Sequence, residues 1–181
     1  MESFEKQDTQ KLVSRCQAGE HGAYDELVDL YASRCYGYFY RLTRNADISH
    51  DLLSELFVKI VEKLDSFKGG SFEKWLFTIA GNLFHDHLRG RYRQKKMLET
   101  KARELQDDSL PRRADTELSD KLQVFLSKLD EDTLQVILMR FYGDLSFKEL
   151  AEIRNEPIGT TLSKVHRGLK KLRELMGESG A

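Results

Sequence analysis

The sequence predicts an all-α protein made of two small helical domains joined by a linker. Apolar residues recur three and four positions apart along most of the chain, and they never alternate with polar ones as in a half-buried strand. Only two of the 181 residues are proline, so few positions forbid helix. The periodicity fades once, from about Gln94 to Thr116, and then resumes. These limits set the expected domains at residues 1–94 and 118–181, with a linker over 95–117. A hydrophobic fraction of 40% suits folded lobes rather than disorder.

The first lobe opens with Leu12 and Cys16 at helical spacing. The same pattern continues through Tyr24, Leu27, Val28 and Tyr31, then Cys35, Tyr38, Phe39 and Leu42. Asn45-Ala46-Asp47 reads as a turn, with Asp47 or Ser49 available as the N-cap of the next helix. Leu52, Leu53, Leu56, Phe57, Ile60, Val61 and Leu64 form that helix's apolar side, and Asp51, Ser54, Glu55, Lys59 and Glu62 lie opposite. Lys68-Gly69-Gly70-Ser71 breaks the pattern. In the helix that follows, Phe72, Trp75, Leu76, Ile79, Ala80, Leu83, His87 and Leu88 face inward, while Asn82, Asp86, Arg89 and Arg93 share a polar face. Residues 96–105 could prolong it before Asp107-Asp108-Ser109-Leu110-Pro111. The second lobe begins with Leu118, Leu122, Phe125, Leu126 and Leu129. It continues through Leu134, Ile137, Leu138 and Phe141 to a turn at Gly143-Asp144.

Residues 145–175 read as a helix-turn-helix. Ser146-Phe147-Lys148-Glu149 has capping-box spacing, in which hydroxyl and carboxylate satisfy backbone donors at a helix start. Leu150, Ala151 and Ile153 are the expected buried side, and small Ala151 permits a close helix crossing. Asn155 tolerates the left-handed backbone that reverses the chain, and Pro157 has the fixed φ of a first helical turn. In the second helix Ile158, Leu162, Val165, Leu169, Leu172 and Met176 form the expected core stripe. Thr160, Lys164, Arg167 and Lys171 share another face, with Ser163 and Lys170 beside them. Such a helix can enter the major groove, reading bases with its first turns and neutralising phosphates with Lys and Arg.

Charge and composition narrow the partners. A net charge of −1 hides two cationic stretches, residues 86–103 with seven Lys/Arg against two Asp/Glu, and 158–181 with five against two. The intervening residues 104–157 hold 7 Lys/Arg against 13 Asp/Glu, which suits contact with nucleic acid at two separated places. No 20-residue apolar segment or secretory leader is present, so a soluble cytoplasmic protein is expected. Cys16 and Cys35 stand 19 residues apart without ligand spacing and read as buried free thiols, with no metal or other cofactor implied. His85-Asp86-His87 superficially offers a metal or acid-base cluster. Helical residues two apart point about 200° apart, so the two imidazoles do not converge. No catalytic residue is assigned and an enzyme is not expected.

Two blocks in this order resemble the sigma-70 family of bacterial transcription initiation factors, in the short extracytoplasmic-function (ECF) form that carries only regions 2 and 4. Region 2 looks like residues 9–94. Its Asp51-Leu52-Leu53-Ser54-Glu55-Leu56-Phe57 is followed by Phe72-Glu73-Lys74-Trp75-Leu76 and Ile79-Ala80-Gly81-Asn82, leading to Asp86 and Arg89. Region 4 looks like residues 118–176, with Leu145 to Glu152, Pro157-Ile158-Gly159-Thr160 and Arg167-Gly168-Leu169-Lys170-Lys171-Leu172-Arg173. Thr161 and Leu162 stand where the family more often has Val and a basic residue, Ser54 where it has Gln, and Asn155 where it has a turn Gly.

The resemblance implies a sigma factor that binds core RNA polymerase, recognises promoter DNA and promotes strand opening. It implies docking of Asp51, Glu55 and Lys59 on the clamp helices of the polymerase's largest subunit. It assigns Phe67, Asn82, Arg89 and Arg93 to the minus-ten element, with Phe67 the open candidate for base stacking beside the structural Phe72 and Trp75. Thr160, Ser163, Lys164, Arg167 and Lys171 are assigned to the minus-thirty-five duplex. Residues 104–117 read as a flexible tether. An anti-sigma protein is implied as a further partner. The competing reading is a freestanding helix-turn-helix regulator whose N-terminal lobe dimerises or binds a ligand.

Overall fold

The computed structural model describes residues 2–101 and 117–178, and among these every regular element is helical. The N-terminal group comprises α1 (Glu2–Gln17), α2 (Ala23–Thr43), α3 (Ala46–Lys63), a 3-10 turn at Leu64–Ser66 and α4 (Phe72–Lys101). The C-terminal group comprises α5 (Glu117–Leu126), α6 (Glu131–Tyr142), α7 (Phe147–Arg154) and α8 (Ile158–Glu178). Residues 95–101 of the expected linker belong to α4, and Glu117 opens α5. Its remaining residues, with the Asp107 to Pro111 stop, lie outside the described ones.

Local chemistry explains the breaks. Arg44 ends α2 with φ of 56°, its N–H donating to the Tyr40 carbonyl. Asn45 then caps α3, its side-chain oxygen accepting from the Ile48 N–H at 2.9 Å. This replaces the expected caps: Asp47 is exposed within the first turn, and Ser49 is buried, donating to the Asn45 carbonyl. At the turn after α6 it is Asp144, not Gly143, that carries the positive φ of 50°. Gly143 is required for space, since a Cβ there would lie 2.6 Å from the Met139 carbonyl oxygen.

The two groups share one apolar core. Leu27, Tyr31, Tyr38 and Phe39 of α2 pack with Leu56 and Ile60 of α3 and Leu76 of α4, all essentially buried. Cys16 and Cys35 are buried free thiols, and burial pushes Cys35 up to about 12. Helix α6 is buried from Leu134 through Met139, because α2 covers one side while α7 and α8 cover the other. Close approach depends on missing side chains. A Cβ on Gly37 would meet the Tyr142 ring at 2.5 Å, and one on Gly81 would meet Met139 Cε at 2.6 Å. Phe77, which lies beside Gly143, and Phe84 are buried as well, although both stand outside the expected inward stripe of α4. Val61 and Phe141 depart the other way and are mostly exposed.

Polar contacts reinforce this junction. Gln135 Nε2 donates to the buried Tyr38 hydroxyl at 3.3 Å, Arg34 Nε to the Tyr142 carbonyl at 2.8 Å, and Arg41 Nη1 to Gln123 Oε1 at 2.9 Å. Lys74 of α4 pairs with Glu152 of α7.

Candidate functional site

The helix-turn-helix forms as its local chemistry predicts. Ser146 Oγ accepts from the Glu149 N–H while the Glu149 carboxylate accepts from the Ser146 N–H, a complete capping box at the start of α7. Asn155 takes φ of 50° at its end, and the Pro157 carbonyl accepts from the Thr160 N–H to begin α8. Leu150 and Ala151 are buried, as expected.

The inward stripe of α8 differs from the one expected. Thr161, Val165, Gly168 and Leu172 face the core, whereas Ile158, Leu162 and Met176 are roughly half exposed. The cause is the crossing over α6: a Cβ on Gly168 would lie 2.6 Å from both Ile137 Cδ1 and Thr133 Cγ2, so the closest contact requires glycine. Thr161 turns inward because its hydroxyl donates to Glu156 Oε1 at 2.8 Å. A small residue and a satisfied hydroxyl do not register as apolar in a sequence pattern.

Of the residues assigned to duplex DNA, Thr160, Ser163, Arg167 and Lys171 are exposed on α8. Lys171 Nζ donates to the Lys128 carbonyl just beyond α5. Lys164 is held differently. Its side chain is only 19% exposed, and its ammonium lies 2.6 Å from Asp132 Oδ2 and 2.5 Å from Glu156 Oε2. Arg154 pairs with Asp132 as well, and its Nη1 donates to Gln135 Oε1 at 3.2 Å. A polar chain thus runs from Tyr38 through Gln135 and Arg154 to Lys164. Burial alone would raise the Glu156 carboxyl, but hydrogen bonds from Lys164 and Thr161 with the Lys164 and Arg154 charges outweigh it and hold it below its usual value.

The N-terminal candidates gather along the junction of α3 and α4. Asp51 and Glu55 line a groove with Leu83, Asp86 and His87, while Lys59 lines a second groove of about 370 Å³ with Lys63, Asn82, His85 and Arg89. Glu55 and Lys59 pair at 3.6 Å. Arg89 and Arg93 are exposed. Arg89 pairs with Asp86 at 3.2 Å, and Arg93 Nε donates to the Arg89 carbonyl at 3.3 Å. Lys59, expected among the acidic α3 contacts, therefore sits on the same groove as the minus-ten candidates. Lys63, one turn beyond it, was missed, although its spacing of four from Lys59 was visible. His85 and His87 line different grooves, and among the described residues no cluster of His, Cys, Asp and Glu could hold a metal ion.

Phe67, assigned to the minus-ten element, is 9% exposed, with its ring centroid 5.7 Å from that of Phe72 and 5.6 Å from that of Trp75, so it is packed among core aromatics and offers only an edge to the groove it lines with Asp65, Lys68 and Gly69. The loop around it is fixed by α1: Gln17 Nε2 donates to the Leu64 and Phe67 carbonyls at 2.8 and 3.0 Å. Gly69 and Gly70 have φ of 101° and 92°, which the loop's return requires. Gln10, Ser14 and Gln17 of α1 face Asp65, Lys68 and Gly69 across a groove of about 530 Å³. Their spacing of four and three was the overlooked signal that α1 borders this loop.

Residues 27–94 match the family model for Sigma-70 region 2, and residues 125–174 that for Sigma-70, region 4. The chain is 30% identical to the ECF RNA polymerase sigma factor SigW of Bacillus subtilis, over 91% of this chain and 94% of the relative. It is 32% identical to the ECF RNA polymerase sigma-E factor of Escherichia coli K12, over 87% and 88%. Among solved structures, the sigma factor RpoE of Bartonella quintana, in complex with the anti-sigma factor NepR, superposes with a TM-score of 0.70 at 25% identity, covering 86% of this chain and 98% of that one. CnrH, in complex with the cytosolic domain of CnrY, shares the fold with a TM-score of 0.68 at 20% identity, over 92% and 96%. Among the described residues no helix is long and apolar enough to cross a membrane. The chain belongs to the sigma-70 family of RNA polymerase sigma factors, in its extracytoplasmic-function branch.

Proposed function

We propose that the chain is a dissociable promoter-recognition subunit that acts in the cytoplasm, binds core RNA polymerase, reads two promoter elements and holds melted DNA. It performs no chemistry of its own; its binding energy favours opening at selected sites. The exposed face of α3 with Asp51 and Glu55, bordered by Lys59, meets the clamp helices of the polymerase's largest subunit. Asn82, Arg89 and Arg93 hold the minus-ten strand, with Lys59 and Lys63 extending their cationic groove. Thr160, Ser163, Arg167 and Lys171 meet the minus-thirty-five duplex, and Lys164 chiefly orients α8 against α6.

The supporting observation is the pairing, in one chain, of an exposed cationic groove between α3 and α4 with a helix-turn-helix whose first helix is capped at both ends and whose outward helix is cationic. A freestanding regulator would need only the second, and it leaves the region 2 match over residues 27–94 without a purpose. An anti-sigma protein is proposed as a partner because the similar RpoE was solved with one. The decisive experiment is run-off transcription with bacterial core enzyme on a promoter library. Defined transcripts that require this chain are expected, and their absence on every template defeats the reading.

A further inference from the structure

On the promoter-reading assignment above, we propose that Ile158 and Leu162 form an apolar reading pair that selects thymine methyl groups in the upstream duplex element. The two side chains lie four residues apart in the first two turns of α8, and they are 49% and 42% exposed. Helical spacing of four places them on one side, one turn apart. Neither belongs to the inward stripe of Thr161, Val165, Gly168 and Leu172. Leu162 lines an open cleft with Ser163, His166 and Arg167, so an apolar surface stands directly beside hydrogen-bonding groups and a cation.

Position decides what this pair meets. A helix seated in the major groove brings its first turns to base edges and leaves its later Lys and Arg to phosphates. Here the later turns carry Arg167, Lys170, Lys171 and Arg173, so the cationic half lies beyond the apolar pair. Thr161 points inward to Glu156 and cannot reach a base. Lys164 is occupied by Asp132 and Glu156. The outward side chains left in the first two turns are Ile158, Thr160, Leu162 and Ser163. In the major groove of unmodified DNA the thymine C5-methyl is the apolar feature, and apolar side chains discriminate by covering it. A basic residue at Leu162 would reach phosphate or guanine. Leucine exchanges that contact for methyl recognition.

The test uses whole chain with core polymerase. An upstream element is first selected by run-off transcription from a library randomised upstream, and each of its thymines is then replaced singly by deoxyuridine, which removes only the methyl. At one or two positions open-complex formation by the unaltered chain should weaken about three- to fivefold, the value of one covered methyl. In Leu162→Ala or Ile158→Ala that sensitivity should vanish at the corresponding position, while Leu162→Lys should shift the selected sequence. The inference is overturned by a selected element without thymine, by indifference to every deoxyuridine, or by sensitivity that persists unchanged in both alanine variants. Failure of run-off on all templates defeats instead the promoter assignment on which it rests.

Discussion

The two cationic regions look alike in sequence and differ in the fold. On α4, Arg89 and Arg93 project into solvent with one i,i+3 carboxylate and one backbone carbonyl for company. On α8, Lys164 is enclosed by two carboxylates and nearly withdrawn from water. A charge that is exposed keeps its countercharge available for exchange with phosphate, whereas one already neutralised inside the fold has become structural. The difference comes from neighbours contributed by distant segments, Asp132 on α6 and Glu156 at the turn. Counting Lys and Arg along a helix face therefore overstates the exposed positive charge of α8 and describes that of α4 fairly.

The sharpest way to break this contrast is Lys164→Ala. It leaves Asp132 and Glu156 facing Arg154 alone, and should cost about 2 kcal/mol, or roughly 4–8 °C in Tm by thermal denaturation. A Tm within 1–2 °C of the unaltered chain (roughly) would return Lys164 to the DNA face. Acid titration sharpens the point. Because the folded Glu156 carboxyl lies below its ordinary 4.5, its stabilisation is complete above that pH and is lost as pH falls through the folded value. The Tm gap between the unaltered chain and Glu156→Gln should accordingly close on acidification below 4.5.

Next in size, Arg89→Ala with Arg93→Ala should reduce promoter opening, read by permanganate reactivity of unpaired thymines, by about tenfold, with polymerase binding unchanged. Equal losses in both assays would assign these arginines elsewhere. Arg167→Ala should lower duplex affinity and reduce the salt slope by about 0.9, the signature of one phosphate contact, while Lys164→Ala changes that slope by less. The smallest effect belongs to Lys74→Ala. Its exposed pair with Glu152 bridges the two helical groups, and losing it should move the Tm by no more than about 2 °C.

Local chemistry was legible in the sequence and tertiary choice was not. The capping box at Ser146 and the left-handed Asn155 are settled within a few residues, and both stand where the spacing put them. The inward stripe of α4 was read too narrowly, and that of α8 was misread, where a neighbour chose the face. Phe77 is buried beside Gly143 of the second group, a neighbour that its own stretch of sequence does not reveal, and Gly168 is inward because α6 needs the space. Phe67 read as an open candidate for base stacking, since nothing in its immediate sequence shows that Phe72 and Trp75 pack against it. Lys63 and the α1 glutamines lay in view, but their significance depends on a groove that only the packed helices create.

Helix α6 has no solvent side between Leu134 and Met139. It is owned jointly: half of its circumference belongs to α7 and α8, half to the N-terminal group. Any rearrangement that parts the two groups would wet Met139 and leave the Tyr38 hydroxyl and the Gln135 amide facing bulk water. Separating the groups therefore carries an apolar cost, which falls on the middle of one helix rather than on a peripheral seam.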